Sequence, residues 1–219
     1  MHKTVQNLIA IVNQLKSTLD VVNEINLPKI IAVSKTFKMD KILPLIEHGH
    51  LDFGENKVQE AIDKWTEIKA NNPNIQLHMI GKLQTNKVKF AVKLFDFIHS
   101  VDSEKLAKKI ADEQLKIKRK IKIFIQVNVG EETQKSGINI NEANNLVIIC
   151  KRLNLNVIGF MCIPPADIDP IGYFEEMDKI NKINNFKQLS MGMSSDYIKA
   201  AKYNSTYLRI GSNIFGLRS

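Results

Sequence analysis

Apolar residues near the start of the chain recur at helical spacing: Val5, Leu8, Ile9, Val12, Leu15, Leu19 and Val22. Positions three and four apart share one helix face, so the pattern predicts an amphipathic helix over about 2–25. Asn26 and Pro28 break it. From there short, wholly apolar runs alternate with longer stretches of helical period. Strands are predicted near 30–34, 51–53, 76–80, 95–100, 121–127, 156–162, 187–191 and 207–210. Helices are predicted near 39–49, 57–70, 85–93, 103–118, 141–152, 170–184, 195–203 and 213–215. Asp102 or Ser103 supplies one helix start and Asn141 another.

Eight strand–helix repeats in an unbroken series imply parallel strands joined by right-handed crossovers. Their number and even spacing predict a closed (β/α)8 TIM barrel. An open doubly wound sheet is the alternative, because periodicity does not report closure. No Gly/Ser/Pro-rich linker divides the chain, which is read as a single barrel domain, 1–219, with an added N-terminal helix.

Composition narrows the class. The 219 residues are 44% hydrophobic and 25% charged, as in an ordinary globular protein. The net charge of +8 raises nucleic-acid binding, but the lysines are scattered. Their densest run, KIKRKIK at 116–122, ends a predicted helix, where cations are favoured. A solvated basic surface accounts for it, and no nucleic-acid partner is expected. Cys150 and Cys162 sit in apolar runs without ligand-like neighbours, so no metal site is expected. No apolar stretch is long enough to cross a bilayer, and a cytoplasmic location is expected.

The chemistry begins at IIAVSKTFK, 30–38. A buried strand ends there on Lys35, and in a barrel the strand ends open onto the face that carries chemistry. A lysine whose pKa is lowered by its pocket forms Schiff bases, as in aldolases and pyridoxal-phosphate proteins. The tail segment YLRIGSNIFG places Arg209 and Gly211 at the end of the last strand, with Ser212 as a cap for a short helix. LSMGMSSD supplies Ser190, Gly192, Ser194 and Ser195 at the neighbouring strand end. Together these read as a phosphate site after strands seven and eight. Closure would make Arg209 and Lys35 neighbours. His78 either faces the pocket or is a satisfied strand-end histidine; Lys87 and Lys135 either attract an anion to the rim or are solvated.

AVSKT, DFGENKVQEA, LHMIGKLQTNKV, IHSVDS, QVNVGEE with KSG, GFMCIPP, LSMGMSSD and RIGSNIFG occur in this order. In these segments, from about residue 30 to the end, the chain resembles the pyridoxal-phosphate homeostasis proteins (YggS/PROSC-like). Their fold is similar to the N-terminal barrel of alanine racemase, that of the fold-type III pyridoxal-phosphate proteins. Phe37 and Lys38 depart from a frequent SKTKP, Lys82 stands where histidine is common, and SSD replaces a frequent SGD or SDD.

The resemblance implies that Lys35 carries pyridoxal 5′-phosphate as a Schiff base, with Asn56 beside the ring. Ser190, Met191, Ser194, Gly211 and Ser212 would line or bind the phosphate, and Arg209 would face the pyridine nitrogen. It implies a role in intracellular cofactor storage and delivery to apoenzymes, without robust turnover and without a catalytic residue. A guanidinium has donors only and does not titrate, so it makes the ring a poor electron sink. Only ten residues follow Arg209, and no racemase β-domain is expected. A monomer is expected. A weak amino-acid racemase and a Schiff-base aldolase are the alternatives.

Overall fold

A computed structural model describes residues 1–216. Eight parallel strands close into a barrel in sequence order: β1 (Lys29–Val33), β2 (Asp52–Glu55), β3 (Gln76–Met79), β4 (Phe97–Val101), β5 (Lys122–Val127), β6 (Asn156–Cys162), β7 (Gln188–Met193) and β8 (Tyr207–Ile210). The seam pairs Ile31 with Arg209 and Ala32 with Ile210. Closure decides against the open sheet.

Before the barrel comes α1 (Lys3–Leu19). Seven helices join successive strands: α2 (Met39–Glu47), α3 (Val58–Asn71), α4 (Val88–Leu94), α5 (Glu104–Ile117), α6 (Ile140–Arg152), α7 (Ile171–Ile183) and α8 (Tyr197–Lys202). A short α9 (Ser212–Phe215) follows β8.

Three local readings are corrected. The first helix stops at Leu19, because Asp20 turns into the left-handed region at φ 53° and its N–H caps the Lys16 carbonyl. Val22, read as part of the apolar face, is 94% exposed. The cap of α6 is Asn139, whose side chain accepts from the Asn141 N–H, so the helix begins before the predicted position. Ser212 is the first residue of α9 rather than its cap, a place taken by Gly211. Ser103 does cap α5, accepting from the Leu106 N–H.

Strand alternation sorts the buried residues into two shells. Outward-facing residues such as Phe53, Phe160 and Leu208 pack with helix residues including Trp65 and Phe174. Inward-facing Ile31, Phe97, Phe124, Met161 and Tyr207 form a separate cluster inside the barrel.

Candidate functional site

Alternation also places the site. Along β1, Ile31 points inward, so Val33 and Lys35 do too, each one step nearer the C-terminal mouth. Along β8 the same rule turns Tyr207, Arg209 and Gly211 inward. A cavity of about 800 Å³ opens there. Six of the eight residues expected at a cofactor line it: Lys35, Asn56, Ser194, Arg209, Gly211 and Ser212. Val33, Phe37, Ile80, Ile163 and Met193 supply apolar walls. No carboxylate stands among the described lining residues.

Lys35 sits in a turn clamped on both sides. The Ser34 carbonyl accepts from Lys64 Nζ at 2.9 Å, and Ser34 Oγ donates to Glu55 Oε1 at 2.7 Å. Beyond it, the Thr36 N–H donates to Glu60 Oε1 at 2.6 Å. Thr36 has φ 67°, a costly conformation for a β-branched residue, and the clamp holds it. Asn56 is held by a close approach: a Cβ on Gly81 would lie 2.4 Å from the Asn56 carbonyl oxygen.

The loops after β7 and β8 are tied together. Ser194 Oγ accepts from the Gly211 N–H at 3.2 Å and the Asn213 N–H at 3.5 Å, while Asn213 Nδ2 donates to the Ser194 carbonyl. The N–H groups of Ser195 and Ser212 make no hydrogen bond to the described residues.

Two expected ligands lie elsewhere. Met191 faces the helices and is fully buried in the outer shell, and its backbone exchanges hydrogen bonds with Ser205 Oγ. Ser190 lies inside the barrel, beneath the cavity, where its Oγ accepts from Arg209 Nη1 at 2.7 Å and contacts His99 Nδ1 at 2.9 Å. It therefore braces Arg209, whose Nη2 donates to the Cys162 carbonyl at 2.7 Å. Burial lowers the Arg209 pKa from its usual high value. Burial also pushes the Cys162 thiol up to about 12, so it stays protonated.

His78 lines no part of the mouth. It is a buried, satisfied histidine, with Nδ1 3.0 Å from His99 Nε2 and Nε2 3.0 Å from Asp52 Oδ1. Neither His99 nor Asp52 stands out in the sequence; inward alternation on β2 and β4 is the signal that places them. Lys135 pairs with Glu132 at 2.5 Å and donates to the Pro164 carbonyl. Cys150 and Cys162 are free thiols. Among the described residues there is no cluster able to hold a metal ion, and no helix is long and apolar enough to cross a membrane.

A family model described as alanine racemase, N-terminal domain, matches residues 7–219. The chain is 36% identical over 201 residues to a pyridoxal phosphate homeostasis protein of Vibrio cholerae, covering 87% of this chain and 85% of that protein. It is 32% identical over 199 residues to the protein of that name in Escherichia coli K12, covering 86% and 85%. The structure of PipY from Synechococcus elongatus, described as having PLP bound, superposes with a TM-score of 0.85 at 29% identity, covering 97% of this chain and all of that one. Alanine racemase of Clostridium difficile shares the fold at a TM-score of 0.73 and 17% identity, and the chain spans 57% of it. The chain belongs to the pyridoxal phosphate homeostasis proteins, a family built on the alanine racemase N-terminal barrel.

Proposed function

We propose that the chain, as a single barrel domain over residues 1–219, binds pyridoxal 5′-phosphate in the cytoplasm, stores it, and delivers it to apoenzymes without robust turnover. The observation that carries this reading is the donor set of the mouth. An amine, a guanidinium, serine hydroxyls and two uncommitted amides meet in one cavity whose described lining has no carboxylate. Such a set suits an anionic, flat ligand with an aldehyde, and the apolar walls suit its ring. The names of the relatives and the PLP-bound Synechococcus neighbour support the same ligand.

When bound, the cofactor supplies an aldehyde that condenses reversibly with a primary amine, with loss of water. Lys35 offers that amine from its clamped turn. Ser194, Ser212 and the adjoining amides hold the phosphate through charge-assisted hydrogen bonds. Asn56 borders the ring. Arg209 is assigned to the ring nitrogen; it only donates, so it cannot supply that nitrogen with an ionised partner that keeps it protonated. Among the described residues of the cavity none is a carboxylate, histidine or tyrosine able to take a substrate proton opposite Lys35. Binding without turnover follows from these side chains.

The test is the absorption spectrum of the loaded protein before and after borohydride, with mass mapping of the modified peptide. The cofactor mass should sit on Lys35, and Lys35→Ala should lose the visible band while remaining folded. Retention of the band by Lys35→Ala would sink the assignment. Single-enantiomer amino acids in deuterated water should show no rapid Cα–H exchange; rapid exchange that Lys35→Ala abolishes would make the protein an enzyme.

A further inference from the structure

Five polar side chains cross the apolar interior of the barrel in single file. Asp52 opens β2 at the N-terminal end, beside a second cavity of about 380 Å³ that it lines with Lys29 and His50. From it the chain runs through His78, His99 and Ser190 to Arg209 at the opposite mouth, with successive separations of 3.0, 3.0, 2.9 and 2.7 Å. Both histidines are fully buried, His78 stacked on Phe97 at 4.2 Å and His99 on Phe124 at 4.3 Å.

The chemistry of the ends fixes the direction of every link. Burial opposes ionisation of Asp52, but the His78 hydrogen bond and nearby Lys29 outweigh it and lower its pKa. An ionised Asp52 only accepts, so His78 carries its proton on Nε2. Burial lowers the His78 pKa, and burial, His78 and Arg209 hold His99 well below the ordinary value, so both rings are neutral. His78 Nδ1 must then accept from His99 Nε2–H. His99 Nδ1 in turn accepts from the Ser190 hydroxyl, and Ser190 accepts from Arg209. All donors point from the guanidinium towards the carboxylate, and aligned hydrogen bonds polarise and strengthen one another.

We propose that Asp52, His78 and His99 are positioning residues for Arg209: a directed hydrogen-bond chain anchored on the far face of the barrel fixes the guanidinium at the mouth. The inference rests on the cofactor reading for its purpose, but not for its existence. Losing the Asp52 carboxylate frees His78 to reverse its tautomer. His99 then reverses and donates to Ser190, and Arg209 faces a hydroxyl already taking one proton donor.

The deciding experiment is nitrogen NMR of the histidine and arginine side chains in the full chain without cofactor, for wild type, Asp52→Ala and Asp52→Asn. Wild type should show His78 and His99 each protonated on Nε2 alone, with slow rotation of the Arg209 guanidinium. Asp52→Ala should give mixed tautomers at His99, which does not touch Asp52, and faster guanidinium rotation. It should also weaken pyridoxal phosphate binding by about threefold to tenfold, the range for one lost hydrogen bond. Asp52→Asn retains an accepting oxygen and should restore most of both properties. A wild-type His99 protonated on Nδ1, or an unchanged His99 tautomer in Asp52→Ala, would overturn the proposal. Failure of wild type to bind the cofactor would instead overturn the functional reading, while the tautomer signals still decide the chain.

Discussion

Between the sheet and its helices, Phe53, Trp65, Phe160 and Phe174 pack with aliphatic neighbours. Inside the sheet, Phe97, Phe124 and Tyr207 share a narrower space with His78, His99, Ser190 and Arg209. Both regions are closed to solvent, yet one is filled for cohesion and the other is threaded by a polar chain. Burying polar groups costs free energy unless each finds a partner. Four consecutive links satisfy that demand here, ending at the cavity of the C-terminal mouth. A buried polar file beneath a mouth therefore marks where the barrel is specialised, and the apolar shell marks where it is merely held together.

The contrast can be broken most severely at the sheet that separates the two regions. A Cβ on Gly159 would lie 1.7 Å from the Gln188 carbonyl oxygen, across the β6–β7 pair. Gly159→Ala should abolish the cooperative unfolding transition seen by circular dichroism; a normal transition would show that the strands can separate there. In the outer shell, Phe174→Ala should cost about 3–5 kcal/mol in urea unfolding. Its effect on ligand selectivity should be nil, and a changed preference between pyridoxal and its phosphate would blur the distinction.

The inner region should differ in its response to acid. His78 and His99 have folded pKa values below 6.5, so unfolding takes up protons between those values and 6.5. Their contribution is complete above pH 6.5 and is lost as pH falls below it. The slope should approach about 1.4 kcal/mol per pH unit for each histidine. Urea titrations from pH 8 to pH 5 should show it, with buried His50 adding to the slope, and His99→Gln should remove about 1.4 kcal/mol per pH unit of it. A flat profile would mean that the two rings titrate as they do in the unfolded chain. The smallest effect belongs to the rim: Ser194→Ala should weaken pyridoxal phosphate by up to about tenfold and leave pyridoxal almost unaffected. Equal losses for both would remove Ser194 from the phosphate.

Sequence reading recovers the two regions unequally. The outer shell follows from runs such as Ile121–Val127 and from the helical spacing of Leu106, Ala107 and Ile110, because periodicity reports burial directly. Lys35, Arg209 and Ser194 are readable as strand-end residues, and the ordered motifs add Asn56. Ser190 and Met191 illustrate what is missing. They are adjacent, so strand alternation sends them to opposite faces, and neither reaches the cavity. The histidine file is hidden for another reason: its members come from β2, β3, β4, β7 and β8, and only the register of a closed sheet stacks them. The early end of α1 depends on a left-handed Asp20, which hydrophobic pattern does not encode.

The seam between β1 and β8 has a consequence for how the protein acquires its function in time. Lys35 follows the first strand and Arg209 lies on the last, and Asn7 of α1 donates to the Ile214 carbonyl of α9. Joining ends so far apart carries the chain-entropy penalty of a long loop, repaid only when the final strand docks. A nascent or partly folded chain thus has no mouth to offer, and the proposed Schiff base at Lys35 requires a finished barrel. Ligand occupancy is then linked to global folding rather than to a local loop, so saturating ligand should slow hydrogen exchange in α1 as well as at the site itself.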